Sequence, residues 1–187
     1  MSLILASASP RRKELLGLFR IPFEIRVADI DETMNGTPYE EVARVSRLKA
    51  LAVPRSSDDT VIAADTIVVC CDKILGKPHS EEEAKQMLRL LSGRDHQVMT
   101  GVTVLRGENS ETFTEVTDLH FRPLSEKEIA AYVATGEPMD KAGAYGIQGG
   151  AALFAEKMVG DYYNVMGLPV CRLWQLLNEI APELLAQ

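Results

Sequence analysis

The 187-residue chain is poor in cysteine and shows no pattern for using it. Its three cysteines, Cys70, Cys71 and Cys171, are odd in number, two stand side by side in an apolar run, and no CxxC spacing occurs. That argues against a disulfide scaffold and a thiolate metal site. It reads as reduced thiols packed in a core, in a cytoplasmic setting. No apolar run approaches the ~18 residues of a membrane-spanning helix, so no membrane partner is expected. The opening MSLILASASPRR has too short an apolar stretch for a signal-peptide core, with its charge on the wrong side. Positive charge is not in excess either. Twenty Lys and Arg face 27 Asp and Glu, for a net charge of −7 and a pI near 5.1. A general nucleic-acid binder needs an extended basic face, so no nucleic-acid partner is expected. The phosphate-loop pattern GxxxxGK[ST] is missing, as is the kinase set of glycine-rich loop, HRD and DFG. There is no repeat, low-complexity tract or linker.

What remains is a globular composition, 46% hydrophobic and 25% charged. It fits a single domain over residues 1–187, or one domain pinched into two lobes, able to bury roughly 70% of its unfolded surface without disulfides. Strand and helix patterns alternate. Leu3–Ala6 reads as a buried strand turning at Ser7–Ser9 into a helix over Pro10–Leu18. Phe23–Val27 alternates as a strand does. Thr37-Pro38-Tyr39-Glu40 is a capping-box pattern opening a helix to about Val53. Val61–Cys71 reads as a central strand, turned by Asp72-Lys73 into Ile74-Leu75. A helix follows Ser80, and Gly93 ends it. Val98–Leu105 and Phe113–Phe121 flank a hairpin-like turn, a capping box at Ser125 opens a helix ending at Gly136, and residues 136–150 form a glycine-rich loop. Ala152–Val159 reads as a strand and Pro169–Ile180 as a closing helix. The fold class is therefore α/β with a mixed, twisted sheet and flanking helices.

Three features break local rules. Helix N-termini favour acids, yet Arg11, Arg12 and Lys13 follow the N-cap Ser9 and Pro10. Free backbone N–H groups, serine hydroxyls and arginine forks at a strand–turn–helix junction suit a phosphate as well as they suit a solvated basic patch. Asp65 and Thr66 sit in the middle of the run TVIAADTIVVCC, where an unpaired carboxylate would cost several kcal/mol. Asp65 must be paired, metal-bound or facing a cleft, and the small residues before it leave room for a ligand. Lys49 falls on the apolar stripe with Val42, Val45 and Val53, pointing inward, while Arg44 and Arg47 lie on the opposite side. Lys77 stands in Gly76-Lys77-Pro78, a stiffened turn beyond the Asp65 strand. Asp29, Asp31 and Glu32 form an acidic cluster after the second strand. Several cations with two acidic centres suit a polyphosphate carried with a hard divalent cation such as Mg²⁺ or Mn²⁺.

The motifs Ser7-Ala8-Ser9-Pro10-Arg11-Arg12, Ala64-Asp65-Thr66, Gly76-Lys77-Pro78, Leu91-Ser92-Gly93-Arg94 with His96, and Thr100-Gly101-Val102 stand in order. Asp140–Gly149 (DKAGAYGIQG) and Asn164–Pro169 (NVMGLP) follow. In order and number they resemble the Maf family of nucleoside triphosphate pyrophosphatases, over residues 3 to about 175. The resemblance implies an α/β fold with a long mixed sheet and a cleft between two lobes. It also implies hydrolysis of a nucleoside triphosphate to its monophosphate and pyrophosphate with a divalent metal. Asp140–Gly149 is similar to the branch acting on dTTP and UTP, whose specificity positions match Arg12, Thr66 and Gln148. A glutamine amide has the paired donor and acceptor to read a uracil edge.

On that resemblance Asp65 is the catalytic base or water-positioner and a metal ligand, and Glu32 shares the metal. Ser7, Arg11 and Arg12 hold the triphosphate, and Lys49 and Lys77 compensate charge on the leaving pyrophosphate. A homodimer is among the assemblies it implies. Two other readings stay open at this stage: a nucleotide-binding regulator of cell division that does not turn its ligand over, and a pyrophosphatase with another nucleotide preference.

Overall fold

A computed structural model describes residues 2–27 and 29–185. The chain begins with strand β1 (Leu3–Leu5), helix α1 (Pro10–Gly17), strand β2 (Phe23–Ile25), helix α2 (Pro38–Ala52) and strand β3 (Thr60–Cys70). Strand β4 (Lys73–Leu75), helix α3 (Glu81–Leu91), the long strands β5 (Asp95–Arg106) and β6 (Asn109–Phe121), and helix α4 (Glu126–Val133) follow. Three short 3-10 turns, at Glu137–Asp140, Ala142–Ala144 and Gly150–Leu153, lead to strand β7 (Ala155–Val159) and helices α5 (Tyr162–Met166), α6 (Val170–Ile180) and α7 (Pro182–Leu185). The strands form a seven-stranded mixed sheet in the order β2-β1-β3-β5-β6-β7, with β4 paired to β3. β1 runs parallel to both β2 and β3, while β3–β4 and β6–β7 are antiparallel.

The chain divides into two compact units. One holds Met1–Asp65, Thr100–Glu115 and Gly167–Gln187, and the other Thr66–Met99 and Val116–Met166. Three of the four crossings fall in motifs singled out from the sequence: Asp65-Thr66, Met99-Thr100 beside Gly101, and Met166-Gly167.

The first unit is built on β1 and the start of β3. Parallel strands covered on both faces read as continuous apolar runs, and Leu3–Leu5 and Val61–Ala64 are all buried. Ile4, Ala6, Ala50, Val53, Val61, Ala63 and Leu105 form one apolar cluster. The stripe of α2 faces inward, with Val42 and Val45 fully buried, each contributing ~1.5–3 kcal/mol of apolar burial. α2 approaches β5 so closely at Gly101 that a Cβ there would strike the Val42 carbonyl.

The second unit packs α3 against α4 through buried Ala84, Leu88, Leu91, Ile129, Tyr132 and Val133. Below them lies an aromatic group. Phe121 sits edge-on to Tyr145, His96 and Phe154, and Phe154 to Tyr132. The Ser125 capping box forms in full, and Ser80 caps α3 through Glu83 N–H.

Several expectations are corrected. Thr37 makes no side-chain cap; its hydroxyl instead donates to Glu40 at 2.7 Å, so the capping box does not form although Pro38 opens the helix. β3 ends at Cys70, and the turn is Cys71-Asp72, both at positive φ, one residue earlier than expected. β7 begins at Ala155 because Gly150–Leu153 takes a 3-10 turn. Of the thiols assigned to a core only Cys70 is buried, and Cys71 and Cys171 are exposed. Ala63, on the same pleat face as Asp65, packs into the cluster with Ala50 of α2 and with Val53 just after it.

Candidate active site

The first unit gathers a cluster from three separate segments. At the β1–α1 junction Ser9 is the N-cap, its hydroxyl accepting from Arg12 N–H at 3.4 Å, and no acid stands in the first helical turn. The buried Ser7 hydroxyl accepts from Ser9 N–H and from Arg12 Nη1, both at 3.2 Å. Arg12 Nε donates to the Gly167 carbonyl at 2.8 Å. The guanidinium is thereby held between the turn and a segment 155 residues away. Burial pulls its pKa below the usual arginine range, opposed by the field of Asp65; Arg11 lowers it further, and Glu32 raises it. Arg11, Asp65 and Glu32 thus all act electrostatically on Arg12.

Asp65 is buried and paired. Lys49 Nζ donates to its Oδ1 at 2.7 Å, and the same ammonium lies 3.0 Å from Glu32 Oε1. The inward direction of Lys49 follows from its place among Val42, Val45 and Val53: its side chain is 16% exposed, against 57% for Glu32. Two carboxylates therefore converge on one cation position, a donor set of hard oxygens that fits Mg²⁺ or Mn²⁺. Asp31, expected in the same acidic cluster, accepts from Thr33 N–H at 2.9 Å instead.

The loop carrying Glu32 is braced by a pair that periodicity did not single out. Arg44 donates to Glu41 at 2.7 Å and to the Thr33 carbonyl at 2.6 Å. The Arg44 hydrogen bond, the largest influence, holds the Glu41 carboxyl below its usual range; backbone N–H groups of Asn35 and Gly36 add to this. The sequence marked Arg44 only as outward-facing.

Thr66, Lys77 and Gln148 belong to the second unit. Thr66 is half-buried, while Lys77 and Gln148 are exposed. Thr66 shares a pleat face with Val68, whose side chain fills the place a Cβ on Gly143 would take, 2.7 Å away. Gly143 N–H donates to the Gly76 carbonyl at 3.0 Å. The Thr66 strand, the turn carrying Lys77 and the glycine-rich loop are thus fastened together. Within that loop Gly149 N–H donates to the Gly146 carbonyl at 3.0 Å, closing a turn around buried Ile147 and exposed Gln148. The sequence did not reveal the Gly167 carbonyl that fixes Arg12, nor Tyr132 and Glu137, which hold this loop. The NVMGLP motif pointed to the first; nothing in spacing or pattern points to the second.

The Maf-like protein family model matches residues 2–180. A dTTP/UTP pyrophosphatase of Bacillus cereus is 50% identical over 180 residues, covering 95% of this chain and 94% of that protein. A dTTP/UTP pyrophosphatase of Bacillus mycoides shows the same identity and coverage. Among the described residues no helix is long and apolar enough to cross a membrane.

Proposed function

The chain belongs to the Maf-like family, and from that premise we propose that it is a nucleoside triphosphate pyrophosphatase that hydrolyses dTTP and UTP to the monophosphate and pyrophosphate. The observation that carries this reading is the convergence of Asp65, Lys49 and Glu32 at one point, which acts electrostatically on a half-buried arginine at a helix N-terminus, in a chain half identical to dTTP/UTP pyrophosphatases.

In this reading the triphosphate is held by Arg11, Arg12, Ser7 and the N–H groups of the first turn of α1, where an anion reverses the unfavourable sign of three clustered cations. Water attacks the α-phosphorus, the bond from that phosphorus to the bridging oxygen breaks, and pyrophosphate leaves. Asp65 orients the water and takes its proton. Lys49 has three donors, so with Asp65 and Glu32 as partners it keeps one N–H for a phosphate oxygen, and Lys77 adds charge compensation for the leaving group. A divalent cation held by Asp65 and Glu32 supplies, when bound, neutralisation of phosphate charge. Gln148 reads the pyrimidine edge, with Arg12 and Thr66 as the other specificity positions. The reading extends to a cytoplasmic setting, supported by three unbridged thiols, and, through the family resemblance, to a homodimer.

The test is pyrophosphate release from dTTP, UTP, CTP, GTP and ATP with Mg²⁺ or Mn²⁺. The expected result is kcat/KM for dTTP and UTP at least about tenfold above the others, a difference of ~1.4 kcal/mol in transition-state binding. Nucleotide binding without pyrophosphate release, or a purine preference, overturns it.

A further inference from the structure

The turn that presents Gln148 is pinned at both ends by one side-chain relay. Tyr132, on the last turns of α4, accepts a hydrogen bond from Gly146 N–H at 2.9 Å. Its hydroxyl donates to Glu137 Oε1 at 2.9 Å. The other oxygen of Glu137 accepts from Gly150 N–H at 3.2 Å. The carboxylate fills the space beside the loop: a Cβ on Gly149 would lie 2.5 Å from Glu137 Cδ, and one on Gly146 would lie 2.8 Å from Lys141 Cε. Lys141 in turn donates to the Glu137 carbonyl at 2.6 Å. Tyr132 is 5% exposed, and burial pushes its phenol pKa upward, so its hydroxyl stays protonated and available as a donor. Its ring stands edge-on to Phe154.

The consequences fall on Gln148. Gly146 N–H is tied to Tyr132, Gly150 N–H is tied to Glu137, and Ile147 is buried between them. The exposed Gln148 is left with little freedom beyond its own side-chain torsions. A side-chain amide discriminates well only when its donor and acceptor are held where the ligand's acceptor and donor arrive. Each degree of backbone freedom removed beforehand is a cost not met on binding.

We propose that Tyr132 and Glu137 are specificity-positioning residues, which fix the Gln148 turn so that its amide selects the nucleobase. The inference rests on the assignment of Gln148 as the base reader. Tyr132→Phe keeps the ring and its packing and removes both hydrogen bonds of the hydroxyl. Glu137→Ala removes the clamp, and Glu137→Gln restores an acceptor for Gly150 N–H.

The experiment measures kcat and KM for UTP and GTP, together with melting temperature, in these variants, in Gln148→Ala and in the Tyr132→Phe/Gln148→Ala double variant. Tyr132→Phe and Glu137→Ala are expected to lower the UTP-over-GTP ratio of kcat/KM by about tenfold, mainly through KM for UTP, with Glu137→Gln recovering part of it. In the Gln148→Ala background, Tyr132→Phe should change that ratio by less than about twofold, since coupled residues are not additive. A fall in melting temperature with an unchanged ratio, or an equal loss on both nucleotides, overturns the proposal. If Gln148→Ala erodes discrimination and Tyr132→Phe does not, the positioning role alone fails. If Gln148→Ala leaves the ratio intact, the base-reading assignment fails and the positioning role with it.

Discussion

The Lys49 ammonium lies 2.7 Å from Asp65 Oδ1, so the carboxylate placed in the middle of a core strand is compensated by the cation placed in the middle of an apolar helical stripe. Each is costly in its own element, and the pairing offsets part of both costs. Removing one partner of such a pair strands the other. Lys49→Met is expected to destabilise the protein by ~3 kcal/mol in urea unfolding, because buried Asp65 loses its counter-charge. Lys49→Met with Asp65→Asn should lose less than the two single variants summed.

The same pair has a catalytic consequence. Asp65→Asn keeps a polar group of the same shape beside Lys49, which retains Glu32 at 3.0 Å, so it should lose less stability than Lys49→Met and remain folded at assay temperature. Its kcat on UTP should nevertheless fall by about two orders of magnitude or more, since an amide takes no proton from water. Stopped-assay pyrophosphate release checks this, and a kcat near that of the wild type removes Asp65 as the base.

Gly101 makes a separate demand on the same helix. A Cβ at this position would overlap the Val42 carbonyl and lie 2.6 Å from Ala43 N, and helix backbone does not yield as a flexible side chain does. Gly101→Ala should therefore cost ~3 kcal/mol or more. Its thermal unfolding is expected well below that of the wild type. Because α2 carries Lys49, the folded fraction should also turn over UTP more slowly.

The β3–β4 hairpin turns through Cys71 at φ 51° and Asp72 at φ 59°. Two positive φ values in a two-residue turn are the arrangement that favours Asn-Gly, and a cysteine there is strained. Replacing the pair by Asn-Gly (Cys71→Asn, Asp72→Gly) should stabilise the protein by ~1 kcal/mol. Equilibrium denaturation checks it, and a loss of stability would show that Cys71 makes a compensating contact in the native state.

His96 sets an acid limit. It is 3% exposed, its Nε2 is 2.9 Å from the Tyr145 hydroxyl, and burial lowers its pKa from 6.5 to about 4. Between those values the unfolded chain binds a proton that the folded protein does not. Stability is therefore present in full above 6.5 and is lost as pH falls through the window toward 4, with a slope of at most ~1.4 kcal/mol per pH unit from this group. Denaturant titrations at several pH values should show that His96→Gln has a shallower dependence between pH 6.5 and 4 than the wild type. Parallel curves would mean that other groups carry the dependence.

Several features of the molecule follow from local chemistry, which is why the sequence carried them. The inward direction of Lys49 is a matter of helical period, the cost of Asp65 a matter of its apolar neighbours, and the basic start of α1 a matter of helix-end electrostatics. The Ser80 cap and the Ser125 capping box depend on residues three apart, and the mixed sheet on the alternation of strand and helix patterns. Failures of local reading occurred where two local options compete within a residue or two: Thr37 turned its hydroxyl to Glu40, and the hairpin turned at Cys71 rather than Asp72.

What only the tertiary structure decided is which groups meet. Sequence required a partner for Asp65 but did not name Lys49, sixteen residues away. It marked Gly167 as part of the NVMGLP motif but did not show that its carbonyl would hold Arg12. Glu137 stands before a glycine-rich loop as an ordinary surface acid. Its role appears only when the loop folds back and brings Gly146, Gly149 and Gly150 around the Tyr132–Glu137 pair. The reason is physical: periodicity and propensity set the direction of a side chain relative to its own backbone. A hydrogen bond or ion pair depends on the position of a second backbone, and packing of the whole chain determines that position.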